Sequence, residues 1–198
     1  MIAVIDITGN NLSSLTNAIQ NLGYSYKLTH DPEELTKASH VILPGVGAAP
    51  AAMRALKVYQ LADTLRALTQ PILGICLGMQ LLLEHSEEGD VACLGLIPGS
   101  VKRLPVLTEH PVPHMGWSKL IWTKETPLSQ GLAEQDYVYF VHSYALLNKE
   151  QALASCQYSE NFTAIVQQNN VYGMQFHPEK SAETGLTLLN NFLKLEER

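Results

Sequence analysis

The chain has 198 residues, almost half of them apolar, and its 13 basic and 19 acidic side chains give a net charge of -6. A domain of this size buries a substantial core without staples, and the apolar content argues against disorder. The acidic balance disfavours nucleic acid or an anionic membrane as partner, and no stretch approaches the roughly 20 apolar residues that span a bilayer. Three cysteines, an odd number, make no disulfide framework and point to a reducing, cytoplasmic compartment.

In chain order, residues 2–7 form an apolar run with one acid and no basic region before it, so they read as a buried strand and not a signal peptide. After the turn-like Thr8-Gly9-Asn10, Leu12, Leu15, Ile19 and Leu22 recur at helical spacing, with Gly23 placed as a C-terminal cap. A strand is expected at 24–29. Asp31-Pro32-Glu33-Glu34 then combines an N-cap, an N1 proline and first-turn acids to open a short helix. A third strand at 41–43 ends in Pro44-Gly45-Val46-Gly47. One helical region follows as far as Pro71, then a strand at 72–75 and a helix over 77–85. Strands alternating with helices imply a parallel sheet covered on both faces.

From 101 to 171 the pattern changes to short alternating runs, with antiparallel strands expected at 137–141, 152–156, 162–166 and 172–176. An amphipathic helix over 181–195 closes the chain through Leu186, Leu189, Phe192 and Leu195. The expectation is one α/β domain over 1–198, with a mostly parallel central sheet flanked by helices and an antiparallel region in its second half.

The most informative segment is Gly74-Ile75-Cys76-Leu77-Gly78, which falls at a strand-to-helix junction. This is the glycine–x–nucleophile–x–glycine pattern with cysteine at its centre; the sharp turn exposes the nucleophile, and the glycines let neighbouring backbone pass. The first turn of the helix directs free N–H groups at the sulfur, an environment that favours the reactive thiolate. The Leu77 N–H is placed to hold an oxyanion. Cys93 and Cys156 have no such turn and read as small buried residues.

A nucleophilic cysteine needs a base, and the base needs a group to orient it. Of the seven histidines, His177 is the best candidate, because Glu179 follows it and an extended backbone would project both from one face. Pro178 keeps His177 extended. His85 is expected near a helix end, and His30 and His40 at the surface or a strand edge. His142, with Ser143 and Tyr144, is placed to line a site. His110 and His114 have zinc-like spacing, but Pro111 and Pro113 forbid a helix between them and no second ligand pair is near, so neither a metal nor any other cofactor is expected. Pro44-Gly45-Val46-Gly47 lacks the third glycine of a dinucleotide loop and reads instead as a tight loop offering N–H groups to an anion.

Gly74-Ile-Cys-Leu-Gly-Met-Gln80 and Gln175-Phe-His-Pro-Glu179 together resemble the signature pair of the class I glutamine amidotransferases, a flavodoxin-like α/β family. Pro44-Gly-Val-Gly47, Pro113-His-Met-Gly-Trp117 and Tyr139-Phe-Val-His-Ser-Tyr144 narrow the resemblance to those glutaminase subunits that serve a separate (β/α)8-barrel cyclase in histidine biosynthesis. It implies hydrolysis of L-glutamine by Cys76, His177 and Glu179, an oxyanion held by Leu77, Val46 and Gly47, and glutamine bound by Gln80 with Val141, Ser143 and Tyr144. It also implies a heterodimer into which ammonia is channelled, with Asn11, Met115, Trp117 and Lys180 near the interface. The cyclase would make imidazole glycerol phosphate and an aminoimidazole carboxamide ribotide. The glutaminase subunit of anthranilate synthase and a free-standing γ-glutamyl hydrolase use the same triad and remain alternatives. The chain departs from the family at Ala48-Ala49-Pro50, usually an aromatic and a glycine, and at Ser118, usually asparagine.

Overall fold

The computed structural model describes residues 1–7, 12–133 and 136–196. The first half runs β1 (Ile2–Ile5), α1 (Ser13–Asn21), β2 (Tyr26–Thr29), α2 (Pro32–Lys37), β3 (His40–Gly45), α3 (Ala49–Val58), α4 (Leu61–Ala67), β4 (Ile72–Cys76) and α5 (Leu77–Leu82). The second half is strand-rich: β5 (His85–Ser86), β6 (Val91–Ala92), β7 (Ser100–Arg103), β8 (His114–Lys119), β9 (Ile121–Trp122), β10 (Tyr137–His142), β11 (Tyr144–Leu146), β12 (Ala152–Gln157), β13 (Asn161–Gln168) and β14 (Val171–Met174), closed by α6 (Ala182–Leu193).

Eight strands form the main sheet in the order β2-β1-β3-β4-β14-β13-β12-β9. The pairings from β2 through β14 are parallel, and those from β14 onward are antiparallel. The mixed sheet of the sequence reading is present, with β14 belonging to its parallel half. Alternate residues of each central strand enter opposite cores. Ile2, Val4, Ile42, Leu73 and Ile75 pack toward the α1 and α6 side, while Ala3, Ile5, Val41, Leu43 and Ile72 pack with residues of α2 to α5. Burial on both faces explains why these strands read as unbroken apolar runs.

Several local expectations change. The helical region before Pro71 is two helices, because Gln60 adopts a left-handed conformation (φ 56°) between α3 and α4. The helix after Cys76 stops at Leu82. Leu83 turns extended, and the Glu84 N–H donates to Gly99 O at 3.0 Å, as in a strand rather than a helix. His85 therefore lies in β5, not at a helix end, and its Nε2 meets Asp90 Oδ1 at 2.9 Å. His40 is buried, with Nε2 at 2.9 Å from Leu195 O, so it ties β3 to the end of the chain rather than sitting at the surface. The Asp31 cap holds as expected, its side chain accepting from the Glu33 N–H at 2.9 Å. No helix among the described residues is long and apolar enough to cross a membrane.

β4 lies between β3 and β14 in the parallel half, and its C-terminal end carries Cys76. In such sheets a crevice opens beyond the carboxyl ends of the strands. Gly45 of β3 pairs with Cys76, and Met174 of β14 pairs with Ile75, so the segments leaving all three strands converge at one edge.

Candidate active site

Cys76 ends β4 and precedes α5 with φ 53° and ψ -111°, a conformation costly for a non-glycine residue. Close packing maintains it. A Cβ on Gly78 would stand 1.8 Å from Leu43 O, one on Gly74 would stand 2.6 Å from Gly78 C, and one on Gly45 would stand 2.7 Å from Gly78 N. The elbow thus depends on glycine for close approach of three backbone segments. Leu77 is the first residue of α5, where the N–H has no acceptor within the helix.

His177 leaves β14 and is pinned by its backbone N–H donating to Tyr139 O at 3.1 Å. Its Nδ1 meets Glu179 Oε1 at 2.8 Å, and only 6% and 10% of the two side chains are exposed. The pairing was expected, but its backbone is not a strand. His177 is extended, whereas Pro178–Lys180 is a turn of 3-10 helix that swings Glu179 back to the imidazole. Ser181 braces the turn: its Oγ donates to His177 O at 2.7 Å and accepts from the Tyr139 N–H at 2.9 Å. Burial works against a charged His177, but the hydrogen bonds and charges of Cys76 and Glu179 outweigh it and raise the imidazole to about 10. With Nδ1 engaged by Glu179, Nε2 is left for the sulfur.

These groups face a cavity of about 340 Å³ lined by Cys76, Leu77, His177, Val46, Gly47, Gln80, Val141, Ser143 and Tyr144, together with Glu88, Pro113 and His142. Of the residues expected to act on or bind the substrate, all but Glu179 line this one cavity, and Glu179 reaches it through the His177 imidazole. Gly47 has φ 97°, a left-handed conformation that favours glycine in so tight a loop. The Sγ of Cys76 lies 3.8 Å from Val141 O.

Gln80 donates both carboxamide hydrogens inward, to Tyr144 O at 2.9 Å and to Gln175 Oε1 at 3.1 Å. Its oxygen is the part left for a cavity ligand. The Tyr144 carbonyl also faces His142 Nδ1 at 2.9 Å, so both its lone pairs are taken and it is no free acceptor for a ligand.

Two contributors went unassigned in the sequence reading. Gln175 is fully buried, and its Nε2 donates toward the Cys76 sulfur at 3.9 Å. Its position directly before Phe-His-Pro-Glu was the available signal. Glu88 brings a carboxylate into the cavity, with Oε2 accepting from the Ala49 N–H at 2.9 Å. No local pattern marked it, because β3–α3 and the β5–β6 turn meet only in the fold. The Ala48-Ala49-Pro50 departure lies at that meeting: a Cβ on Gly89 would stand 2.3 Å from Pro50 Cγ.

His114 has both ring nitrogens engaged within the fold. It stacks on Tyr158, with ring centroids 3.9 Å apart, and its nitrogens face His142 and Ser118. Burial raises the thiols of Cys93 to about 11 and Cys156 to about 12, consistent with inert interior residues. Met115 and Trp117, 62% and 52% exposed, project from β8, and Lys180 is exposed. Asn11 and the turn at 8–10 lie outside the described residues.

A strained cysteine at a strand–helix elbow, a carboxylate-held histidine just beyond the end of the adjacent parallel strand and a polar cavity between them define a cysteine hydrolase site on an α/β sheet. The glutamine amidotransferase class-I family model matches residues 3–195, and the chain belongs to that family. Imidazole glycerol phosphate synthase subunit HisH 2 of Legionella pneumophila (strain Paris) is 65% identical over 196 residues, 99% of this chain and 98% of that protein. The HisH subunit of Idiomarina loihiensis is 50% identical over 194 residues, 98% of this chain and 97% of its own. Among solved structures, a glutamine amidotransferase matches with a TM-score of 0.74 at 20% identity, covering 98% of this chain and 97% of its own. PurLQS from Thermotoga maritima matches at 0.70 and 19%, covering 97% and 96%. At those identities the likeness is one of fold.

Proposed function

We propose that this chain is the glutaminase subunit of imidazole glycerol phosphate synthase, a single 1–198 domain acting in the cytoplasm. The observation that carries the chemistry is the Glu179–His177 pair, buried and joined at 2.8 Å beside Cys76 at the cavity. End-to-end identity with the HisH proteins supports the particular synthase.

In this reading the Cys76 sulfur attacks the side-chain carbonyl carbon of L-glutamine. The oxygen takes up the electron pair and is held by the Leu77 N–H and the Val46–Gly47 loop. His177, cationic at neutral pH, gives its Nε2 proton to the departing nitrogen, and the C–N bond breaks to leave ammonia and a γ-glutamyl thioester. The imidazole then takes a proton from water, whose oxygen attacks the thioester. The C–S bond breaks, glutamate leaves, and the sulfur and imidazole return to their starting states. Glu179 holds the tautomer and orientation of His177 throughout. The Gln80 oxygen and the Glu88 carboxylate supply the negative end that an α-ammonium group needs.

Ammonia then passes to a (β/α)8-barrel cyclase subunit. A second cavity, of about 260 Å³, supports an exit there: it lies behind the site and is lined by His177, Glu179, Lys180, Pro44, Gly45 and Val46 among others. The exposed Met115 and Trp117, with Lys180 and Asn11, form the proposed interface.

The test is glutamate release from L-glutamine, with and without the barrel cyclase and its ribonucleotide, with Cys76→Ala as control. Activity requiring the liganded cyclase and lost in the variant is expected. Full activity from the chain alone would overturn that dependence on the cyclase and leave a free-standing hydrolase.

A further inference from the structure

Behind the cavity runs a chain of buried hydrogen bonds that takes no part in the chemistry above. His142 Nδ1 lies 2.9 Å from Tyr144 O, His142 Nε2 lies 3.0 Å from His114 Nδ1, and His114 Nε2 lies 2.9 Å from Ser118 Oγ. The two histidines are direct cross-strand partners of β10 and β8, 28 residues apart. Their exposures are 6% and 2%.

The direction of every bond follows from its end. A carbonyl oxygen only accepts, so His142 carries its hydrogen on Nδ1 and its Nε2 accepts. His114 must then donate from Nδ1, its Nε2 accepts, and the Ser118 hydroxyl donates. All three donors point one way, toward Tyr144 O. That oxygen also receives Gln80 Nε2, whose second hydrogen goes to Gln175, which itself donates toward Cys76.

We propose that Ser118, His114 and His142 are positioning residues for glutamine: their one-way relay fixes the Tyr144 carbonyl and so sets the Gln80 carboxamide with its oxygen toward the substrate. This rests on the glutaminase reading. Reversing either imidazole would set a donor against a donor or two lone pairs against each other, and Gln80 would lose its anchor. The surroundings keep both rings neutral. His114 is stacked between Phe140 and Tyr158, with His110 nearby; His142 faces His177 and His114; the Cys156 thiol faces Ser118. Burial lowers His142 to about 3 and His114 to about 4, in keeping with that state.

The relay has a readout independent of activity. In ¹⁵N-histidine-labelled protein near neutral pH, two-bond ¹⁵N–¹H spectra should show both His142 and His114 as Nδ1–H tautomers; an Nε2–H form of either overturns the relay. In the glutaminase assay of the chain with its cyclase, His142→Ala should raise the glutamine KM about tenfold with kcat within about twofold. His142→Asn, whose amide nitrogen takes the place of Nδ1, should keep KM near wild type. Ser118→Ala should raise KM about threefold, and Ser118→Thr should restore it. Equal effects of Ala and Asn at 142, or losses confined to kcat, would overturn the proposal. An inactive wild-type complex would instead sink the glutaminase reading, while the tautomer spectra would still decide the relay.

Discussion

Gly78 and the carbonyl of Leu43 meet so closely that a single added methyl group would lie 1.8 Å from the oxygen. This contact binds the first turn of α5 to β3, and it holds Cys76 at the positive φ that turns its sulfur into the cavity. Gly78→Ala should therefore cost on the order of 3 kcal/mol or more, read as a lowered urea midpoint, and abolish glutamate release. Gly47→Ala is a useful contrast. Its Cβ meets nothing within 4 Å, but φ is 97°. It should cost about 1–2 kcal/mol at most and act mainly by lowering kcat through a displaced oxyanion loop.

Replacing Cys76 with alanine should reduce glutamine hydrolysis by about 10³-fold or more without lowering stability beyond about 1 kcal/mol. Glutamate release and a thermal melt measure the two effects separately.

Glu179→Gln keeps the shape of the orienting group but removes its charge. The His177 pKa should fall from about 10, and kcat should drop by about 10²–10⁴-fold with a small change in KM. An NMR titration of the imidazole, run beside the kinetics, links the two changes.

Glu88→Gln should raise the KM for glutamine about tenfold while leaving kcat within about threefold, because the carboxylate faces the cavity but not the breaking bond. Glutamine analogues lacking the α-amino group should not distinguish the variant from the wild type.

Stability should fall on both sides of neutrality for different reasons. His142 and His114 are held below their ordinary value, so unfolding takes up protons as pH drops. Their contribution is full above about 6.5 and is lost as pH falls toward 4 and 3. His177 is held above its ordinary value. Its contribution is full below about 6.5 and is lost as pH rises through about 10. Urea midpoints from pH 4 to 10 should trace this dome. His142→Asn should flatten the acid side by roughly 1 kcal/mol per pH unit.

The elbow was legible in the sequence because its requirements are local. A strand, two glycines and a helix start within one stretch specify the turn by sterics alone. Cys76 and Leu77 therefore stood out, and so did the doubly buried parallel strands with their unbroken apolar runs. His177 and Glu179 were legible as neighbours, but the strand geometry assumed for them was wrong. Both conformations bring the pair together, and only the brace from Ser181 and Tyr139 selects the 3-10 turn. The Gln60 break between α3 and α4 was hidden because Gln60 carries none of the usual glycine or proline punctuation.

What the tertiary structure alone decided is which distant segments complete the site. Glu88 reaches the cavity only because the turn between β5 and β6 packs on Pro50. His142 and His114 find each other only through the register of β10 against β8. The tautomers of both rings follow from a carbonyl at the far end of that pairing. Local sequence specifies a conformation through sterics and spacing, but a cross-strand hydrogen bond depends on which strands pair and in what register. That choice is settled by burial summed over the whole sheet.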